Sequence, residues 1–252
     1  MKISVITATL NSEKFIRETV ESILSQKGDF ILEYIVRDGC STDRTLDVLK
    51  EYGDDIIVVS QKDSSPQEAI NNGMKMATGD IGCWLNSDDT FDPGTLQKVV
   101  DLFQKNPKVQ WLYGRCKIIN ENNIEIRKFI TWYKNFVGYY YSKNILLCEN
   151  FINQPATFWK MSLWREVSSN LNANYKAAWD YELWLKMANI APAIHLRKNL
   201  ASFRRHNESI SENYFEKQFN EELTISHEYG NRIHFLIHVL NIKLRTFIYR
   251  KI

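Results

Sequence analysis

Two adjacent carboxylates, Asp88 and Asp89, end the run Leu85-Asn86-Ser87-Asp88-Asp89, which follows directly on the apolar Ile81-Gly82-Cys83-Trp84-Leu85. That apolar run is short, carries Ile and Trp, and comes after the turn-forming Thr78-Gly79-Asp80, so it reads as a buried strand. The acidic pair then arrives where a strand leaves its sheet, the usual ligand position in open α/β folds. Like charges this close repel unless one is protonated or a cation sits between them. Hard oxygen donors suit Mg²⁺ or Mn²⁺, and those ions are commonly shared with a phosphate. The plainer reading is an acidic turn leading into Pro93-Gly94.

A second strand end carries similar chemistry. Ile35-Val36-Arg37-Asp38-Gly39-Cys40-Ser41-Thr42-Asp43 closes a buried strand with an Asp and a Gly. Asp38 is suited to accept a hydrogen bond from an N–H or O–H of a nucleobase or sugar. Ser41 and Asp43 are suited to cap the next helix, and for Asp43 the cap is the better reading. A third segment holds Asp63 and Asn71. Ser65-Pro66 starts a helix well and Gly79 stops it. Asn71 costs propensity inside that helix, which hints at a polar task.

The elements that must position these residues alternate. Strands are expected at Ile3–Ala8, Leu32–Val36, Ile56–Ser60, Ile81–Leu85 and Val109–Tyr113. Between them lie a helix capped by Ser12 and carrying Phe15, Ile16, Val20, Ile23 and Leu24, then helices over Thr45–Tyr52, Glu68–Ala77 and Thr95–Gln104. This rhythm predicts an α/β fold: a Rossmann-like, mostly parallel, doubly wound sheet with its sites at the strand C-termini. The second half is less regular. Pro155–Trp159 reads as a strand behind a turn and Asp180–Met187 as a helix, while Ala193–Phe203 mixes apolar and basic residues before Arg204-Arg205-His206-Asn207.

Bulk properties exclude several classes. At 252 residues the chain suits one large domain, or a domain with a small appendage. A net charge of +2 gives no whole-chain case for nucleic-acid binding. The four cysteines form no CxxC pair, so neither a zinc site nor a disulfide framework is indicated and a reducing compartment fits best. The N-terminus is too soon interrupted for a signal peptide, and no run reaches the ~18 apolar residues of a spanning helix. A cytosolic protein is expected. Dinucleotide oxidoreduction lacks its GxGxxG, and a sugar-nucleotide pyrophosphorylase wants a Gly-rich loop where Thr7-Ala8-Thr9-Leu10-Asn11-Ser12 has no Gly.

Five blocks in order carry a resemblance: Ser4-Val5-Ile6-Thr7-Ala8-Thr9-Leu10-Asn11, Arg37 to Asp43, Asp63 with Ala69-Ile70-Asn71-Asn72-Gly73, Ala77-Thr78-Gly79-Asp80, and Leu85 to Asp89. Together with Gln154-Pro155-Ala156-Thr157-Phe158-Trp159, Trp179 to Leu185 and Phe203 to His206, the chain resembles a family 2 glycosyltransferase. The resemblance implies a GT-A fold and inverting transfer from a nucleotide-activated sugar, with UDP the default nucleotide. It implies that Thr7, Ala8 and Thr9 line the nucleoside pocket, that Asp38 binds the base, and that Asp63 and Asn71 lie in the nucleotide-sugar site. Asp88 would sit near the ribose or metal, and Asp89 would be the main protein ligand of Mg²⁺ or Mn²⁺. Departures are Ala8 where the family usually has Pro, Cys40 where Gly is common, and Ile70 where many members carry Arg.

By the same resemblance Asp180 is the general base. Inversion needs a carboxylate to take the acceptor hydroxyl's proton as the oxygen attacks the anomeric carbon. An N-cap is the plainer role for Asp180, and Glu182 is the alternative base. Arg204, Arg205 and His206 would close over the pyrophosphate, with His206 an extra metal ligand. Trp159, Trp164, Trp179 and Trp184 read either as sugar-stacking faces or as core.

The domain plan is residues 1–212 as the catalytic domain, with 1–95 the nucleotide-sugar half and 96–212 the acceptor half, and 213–252 as a helical tail. From Tyr229 onward there is no acidic residue, while Arg232, Lys243, Arg245, Arg250 and Lys251 are cationic among many apolar residues. Such a helix suits a peripheral membrane contact on the cytosolic leaflet and a glycan or lipid-linked acceptor. It equally suits packing on the domain or pairing two subunits into an oligomer. A catalytically silent membrane-associated scaffold is the alternative function; four carboxylates at Asp38, Asp88, Asp89 and Asp180 argue against it.

Overall fold

The structure, a computed structural model, describes residues 1–167, 170–207 and 214–249. The expected boundary at 212/213 and the terminal Arg250 and Lys251 lie outside the described residues. The strands are β1 (Lys2–Thr9), β2 (Ile31–Asp38), β3 (Ile57–Ser60), β4 (Ile81–Trp84), β5 (Thr90–Phe91), β6 (Trp111–Ile119), β7 (Thr157–Lys160) and β8 (Ile194–Arg204). They form one sheet in the order β3-β2-β1-β4-β7-β6-β8-β5. β3, β2, β1 and β4 run parallel, as the alternating rhythm predicts. β7 then enters antiparallel between β4 and β6, β8 runs parallel to β6, and the two-residue β5 pairs antiparallel with β8.

The helices are α1 (Ile16–Leu24), α2 (Thr45–Lys50), α3 (Pro66–Met76), α4 (Thr95–Lys105), α5 (Lys128–Val137), α6 (Lys143–Cys148), α7 (Met161–Glu166), α8 (Trp179–Ile190), α9 (Phe215–Tyr229) and α10 (Arg232–Tyr249). α3 begins as expected, with the Ser65 hydroxyl accepting from the Glu68 N–H at 3.2 Å and Pro66 in the first turn. Gly73 lets this helix lie close on β1, because a Cβ there would meet Ile6 Cγ2 at 2.6 Å. α1 starts later than expected. Its cap position is Phe15, while the Ser12 hydroxyl meets the Ser87 hydroxyl at 2.9 Å. Pro155 sits in a 3-10 turn (Gln154–Ala156), and β7 begins only at Thr157, where a ladder donor is again present.

The core is continuous across the sheet and contains a tryptophan cluster. Trp84 lies 5.3 Å from Trp159 and 5.8 Å from Trp184, and Trp111 lies 5.9 Å from Trp184. Trp159, Trp164 and Trp184 are fully buried, which settles three of the four candidate stacking residues as core. Only Trp179, stacked on Trp84 at 5.3 Å, also reaches the cavity described next.

The tail packs on the domain. His238, fully buried, sits 3.0 Å from the Leu147 carbonyl, and Asn241 donates to the Cys148 carbonyl at 2.9 Å. Glu221 of α9 accepts the successive N–H groups of Lys176, Ala177 and Ala178 at 2.8, 2.8 and 3.0 Å. Three successive backbone donors leading into α8, the last of them at its cap position, are thereby satisfied by a tail side chain.

Candidate active site

A cavity of about 610 Å³ opens at the C-terminal ends of β1 and β4 and runs across to α5, α8 and the tail. It is lined by Ala8, Leu10, Asn11, Ser87, Asp88 and His206, and also by Lys134, Asn153, Gln154, Asp180, Gln218 and Arg245.

Strand alternation divides the first motif. Ala8 lines the cavity, while Thr7 is fully buried, donating to the Leu85 carbonyl at 2.8 Å and accepting from Tyr34 at 3.1 Å. Thr9 is also buried, and its carbonyl accepts from Gly39 at 2.9 Å. Asp38 is fully buried at the paired end of β2. Its carboxylate accepts from the N–H groups of Cys40 and Ser41, and from the hydroxyls of Ser41 and Ser60 at 2.5 and 2.6 Å. It therefore ties the 38–41 loop together, with Cys40 in the left-handed region at φ 66°. Asp63 is held by both carboxylate oxygens to Arg37 at 3.1 Å, and accepts from Asn72 at 2.9 Å. Asn71 has its polar task, and the partner is the chain itself. Its amide donates to the Leu171 carbonyl at 3.2 Å and its carbonyl accepts from the Leu171 N–H at 2.7 Å. Gln67 donates to the Tyr175 carbonyl, so α3 holds the segment that leads into α8.

The two adjacent carboxylates face different surroundings. Asp89 is fully buried, accepting from the Arg204 N–H at 2.8 Å and from Asn86 at 3.0 Å. Burial first, and the neighbouring Asp88 second, push its carboxyl well above the usual range. Asp88 lines the cavity, with Oδ2 2.9 Å from His206 Nε2. The sequence reading gives the cation to Asp89 with His206. In the fold the carboxylate beside His206 is Asp88, because the turn sends Asp89 inward to bind β8. The 2.9 Å contact is a hydrogen bond between the two side chains. An imidazole nitrogen and a carboxylate oxygen facing one cavity are donors that would suit Mg²⁺ or Mn²⁺, and among the described residues no third His, Cys, Asp or Glu groups with them.

Arg204 is fully buried. It donates to the Asp88 carbonyl at 2.8 Å, to Asn123 at 2.8 Å and to Glu18 at 2.6 Å, so it buttresses the acidic turn from behind. Arg205 and His206 are the two of that triplet that line the cavity.

Asp180 lines the same cavity from the first turn of α8. The cap position is Ala178, so Asp180 is not the N-cap. Burial first, with Glu222 adding, pushes its carboxyl up to about 7 against the Tyr181 N–H, which lowers it. Glu182, two residues on, is buried away from the cavity and ion-paired to Lys186 at 3.0 Å. Behind Asp180 the tail supplies a buried charge cluster. Arg245 reaches Glu222 at 2.5 Å and Glu149 at 3.3 Å, and His238 lies 3.5 Å from Glu222. Burial alone would raise the Glu222 carboxyl, but Arg245 and His238 outweigh it and hold it at about 2. Gln218, Phe219 and Arg245 of the tail line the cavity, and no local sequence signal marks them.

A parallel nucleotide-type half sheet ending in an acidic turn, joined to an irregular half that brings the Asp180 carboxylate to the same cavity, is the GT-A glycosyltransferase arrangement. Residues 4–165 match the model of glycosyl transferase family 2, and the chain belongs to that family. It is 26% identical over 251 residues to an uncharacterized glycosyltransferase of Haemophilus influenzae, covering 95% of this chain and 77% of that one. It is 26% identical over 237 residues to the chondroitin synthase of Escherichia coli, covering 88% of this chain but only 32% of that protein. Among solved structures, Staphylococcus aureus TarS residues 1–349 in complex with UDP-GlcNAc superposes with TM-score 0.68 at 21% identity, covering 89% of this chain and 66% of that one. The mannosyltransferase PcManGT of Pyrobaculum calidifontis, in complex with GDP-Man and Mn²⁺, superposes with TM-score 0.67 at 18% identity, covering 88% and 64%. Among the described residues no helix is long and apolar enough to cross a membrane.

Proposed function

We propose that the chain is an inverting glycosyltransferase that moves a sugar from a nucleoside-diphosphate donor, a UDP-sugar, to a hydroxyl of a glycan or lipid-linked acceptor. The observation that carries this reading is one cavity lined both by the Asp88–His206 pair and by the Asp180 carboxyl, pushed up to about 7. In this reading Ala8, Leu10 and Asn11 border the nucleoside, and Asp38 and Asp63 act through the loops they hold. Asp88 and His206 hold Mg²⁺ or Mn²⁺, with Asp89 fixing the turn. The cation supplies charge neutralisation for the departing nucleoside diphosphate. Arg205, which lines the same cavity, would add a further positive charge.

Asp180 takes the acceptor proton. A carboxylate in water is too weak a base for a sugar hydroxyl, and burial raises its affinity for the proton while leaving a large ionised fraction near neutral pH. Support for a UDP-sugar comes from TarS, solved with UDP-GlcNAc, and support for the cation from PcManGT, solved with GDP-Man and Mn²⁺. Calorimetric titration with UDP, GDP and dTDP, each with Mn²⁺ and with EDTA, tests the donor half. Metal-dependent binding of UDP alone is the expected result. Absence of binding by any of the three would favour the silent-scaffold alternative, or a site that forms only with acceptor or membrane present.

A further inference from the structure

Helix α5 turns aromatic side chains outward. Phe129, Trp132 and Phe136 are 57, 58 and 68% exposed. They follow one another at three- and four-residue spacing and stack ring on ring, with centroids 5.8 and 5.6 Å apart. Tyr139 and the still more exposed Tyr140 extend the ridge beyond the helix, with the Arg197 guanidinium 3.9 Å from the Tyr139 centroid. α10 shows the same inversion. His238 and Ile242 pack inward, while Ile233, Leu236, Ile237, Leu240 and Leu244 face outward. A surface helix normally places its apolar stripe on the core. Scattered exposed apolar residues need no explanation, but contiguous ridges do. The two ridges converge on one opening, since Phe129 of α5 and Leu244 of α10 both line the cavity.

Charge identifies what covers them. No Asp or Glu occurs from 126 to 148, a stretch holding Arg127, Lys128, Lys134 and Lys143. None occurs from 230 to 249 either, where Arg232, Lys243 and Arg245 lie. Lys128, Arg232 and Lys243 are exposed. A second copy of the chain would set these cations against their own kind. An anionic phospholipid surface meets both features, taking rings and aliphatic chains at the acyl boundary and cations at the headgroup phosphates. We propose that α5 and α10 together dock the chain on an anionic phospholipid surface, with the cavity mouth held at that surface. The orientation gives a lipid-linked acceptor its entry route and rests on the transferase reading; the docking does not.

The test is sedimentation of the full chain with vesicles of phosphatidylcholine alone and of equal parts phosphatidylcholine and phosphatidylglycerol. Binding to the mixed vesicles is expected, on the order of tenfold above phosphatidylcholine alone and weakened by salt. Trp132→Glu combined with Phe136→Glu should cut that binding by roughly tenfold or more, while nucleotide binding stays unchanged and vouches for the fold. Trp132→Phe should still dock, yet lose most of the fluorescence quenching that brominated phosphatidylcholine produces in the parent, because Trp84, Trp111, Trp159, Trp164 and Trp184 are fully buried and Trp179 is stacked on Trp84 inside the cavity. A parent chain that stays in the supernatant, or a double variant that sediments as well as the parent, overturns the proposal. So does a lipid-free dimer in analytical ultracentrifugation that the double variant abolishes. Docking without binding of any nucleotide supports the surface and overturns the transferase reading instead.

Discussion

Asp180 and Glu182 stand two residues apart on α8, yet only one is in a position to exchange a proton with a bound ligand. Glu182 is committed to Lys186 and accepts from Asn172 at 3.2 Å, away from the cavity. Asp180 faces the cavity with its carboxyl pushed up to about 7 by burial. Asp180→Asn is therefore expected to cut turnover on the order of 10²-fold or more while leaving the nucleotide dissociation constant unchanged; calorimetry beside initial rates separates the two. Turnover of the parent should rise with pH through an apparent pKa near 7, because the ionised form is the base. Stability should move the other way. Between the ordinary Asp range near 4 and about 7, the folded chain keeps a proton that the unfolded chain has lost, so stability falls as pH rises through that window. Asp180→Asn removes this loss, and its melting temperature should exceed the parent's at pH 8 by more than at pH 5. The acidic turn yields a comparable contrast. Asp88→Ala should abolish Mn²⁺-dependent nucleotide binding with little change in melting temperature. Asp89→Ala, which orphans the buried Arg204 N–H, should cost about 2 kcal/mol of stability.

Helix α3 works chiefly as a clamp. Asn71 pairs with both backbone groups of Leu171, and Gln67 holds the Tyr175 carbonyl, so the segment before α8 is fixed from one side by α3 and from the other by Glu221 of α9. Asn71→Ala leaves two buried backbone groups unpaired and should cost about 2 kcal/mol, seen as a lower melting temperature with nucleotide affinity unchanged. Loss of nucleotide affinity in that variant would return Asn71 to the donor site. The sequence made the need for a polar partner legible at Asn71, but the partner lies a hundred residues away, where no local pattern points to it. The parallel half was legible because its strands read as apolar runs broken by turn residues: β1, β4 and the end of β2 are buried, and the exposed edge strand β3 is still an apolar, β-branched run. α5 was not, because its aromatic face meets solvent and its periodicity does not point to a core. β8 was blurred because its first half alternates between partial and full exposure while its last residues are buried. At the site, the acidic turn, Asp180 and His206 were legible as side-chain types at strand and helix ends. Which of Asp88 and Asp89 turns inward was not, since that depends on the Arg204 backbone of β8.

Across the whole molecule, the tail packs into the half that carries Asp180 rather than standing apart from it. α9 caps the segment that carries Asp180, and α10 sends Arg245 between two buried carboxylates behind it. Glu149 and Glu222 are nearly solvent-free, and Arg245 is their common partner. Burial and Glu222 together hold the Glu149 carboxyl above its ordinary range even beside Arg245. Removing Arg245 leaves Glu149 without its ion-pair partner and Glu222 with His238 alone of its two basic partners, and breaking a buried pair in this way costs about 3 kcal/mol or more. Arg245→Ala should therefore lower the melting temperature by roughly 6–12 °C in a chain of this size. Glu222→Gln, made alone, relieves part of the repulsion and should cost less than Arg245→Ala. Combining the two should recover part of the loss, a coupling that a double-mutant cycle reads directly. Because Glu222 also raises the Asp180 carboxyl, Glu222→Gln should shift the pH–rate profile to lower pH, the direction in which losing a negative neighbour moves a carboxylate. Additive melting shifts together with an unmoved profile would mean that the tail supports the fold without tuning the base.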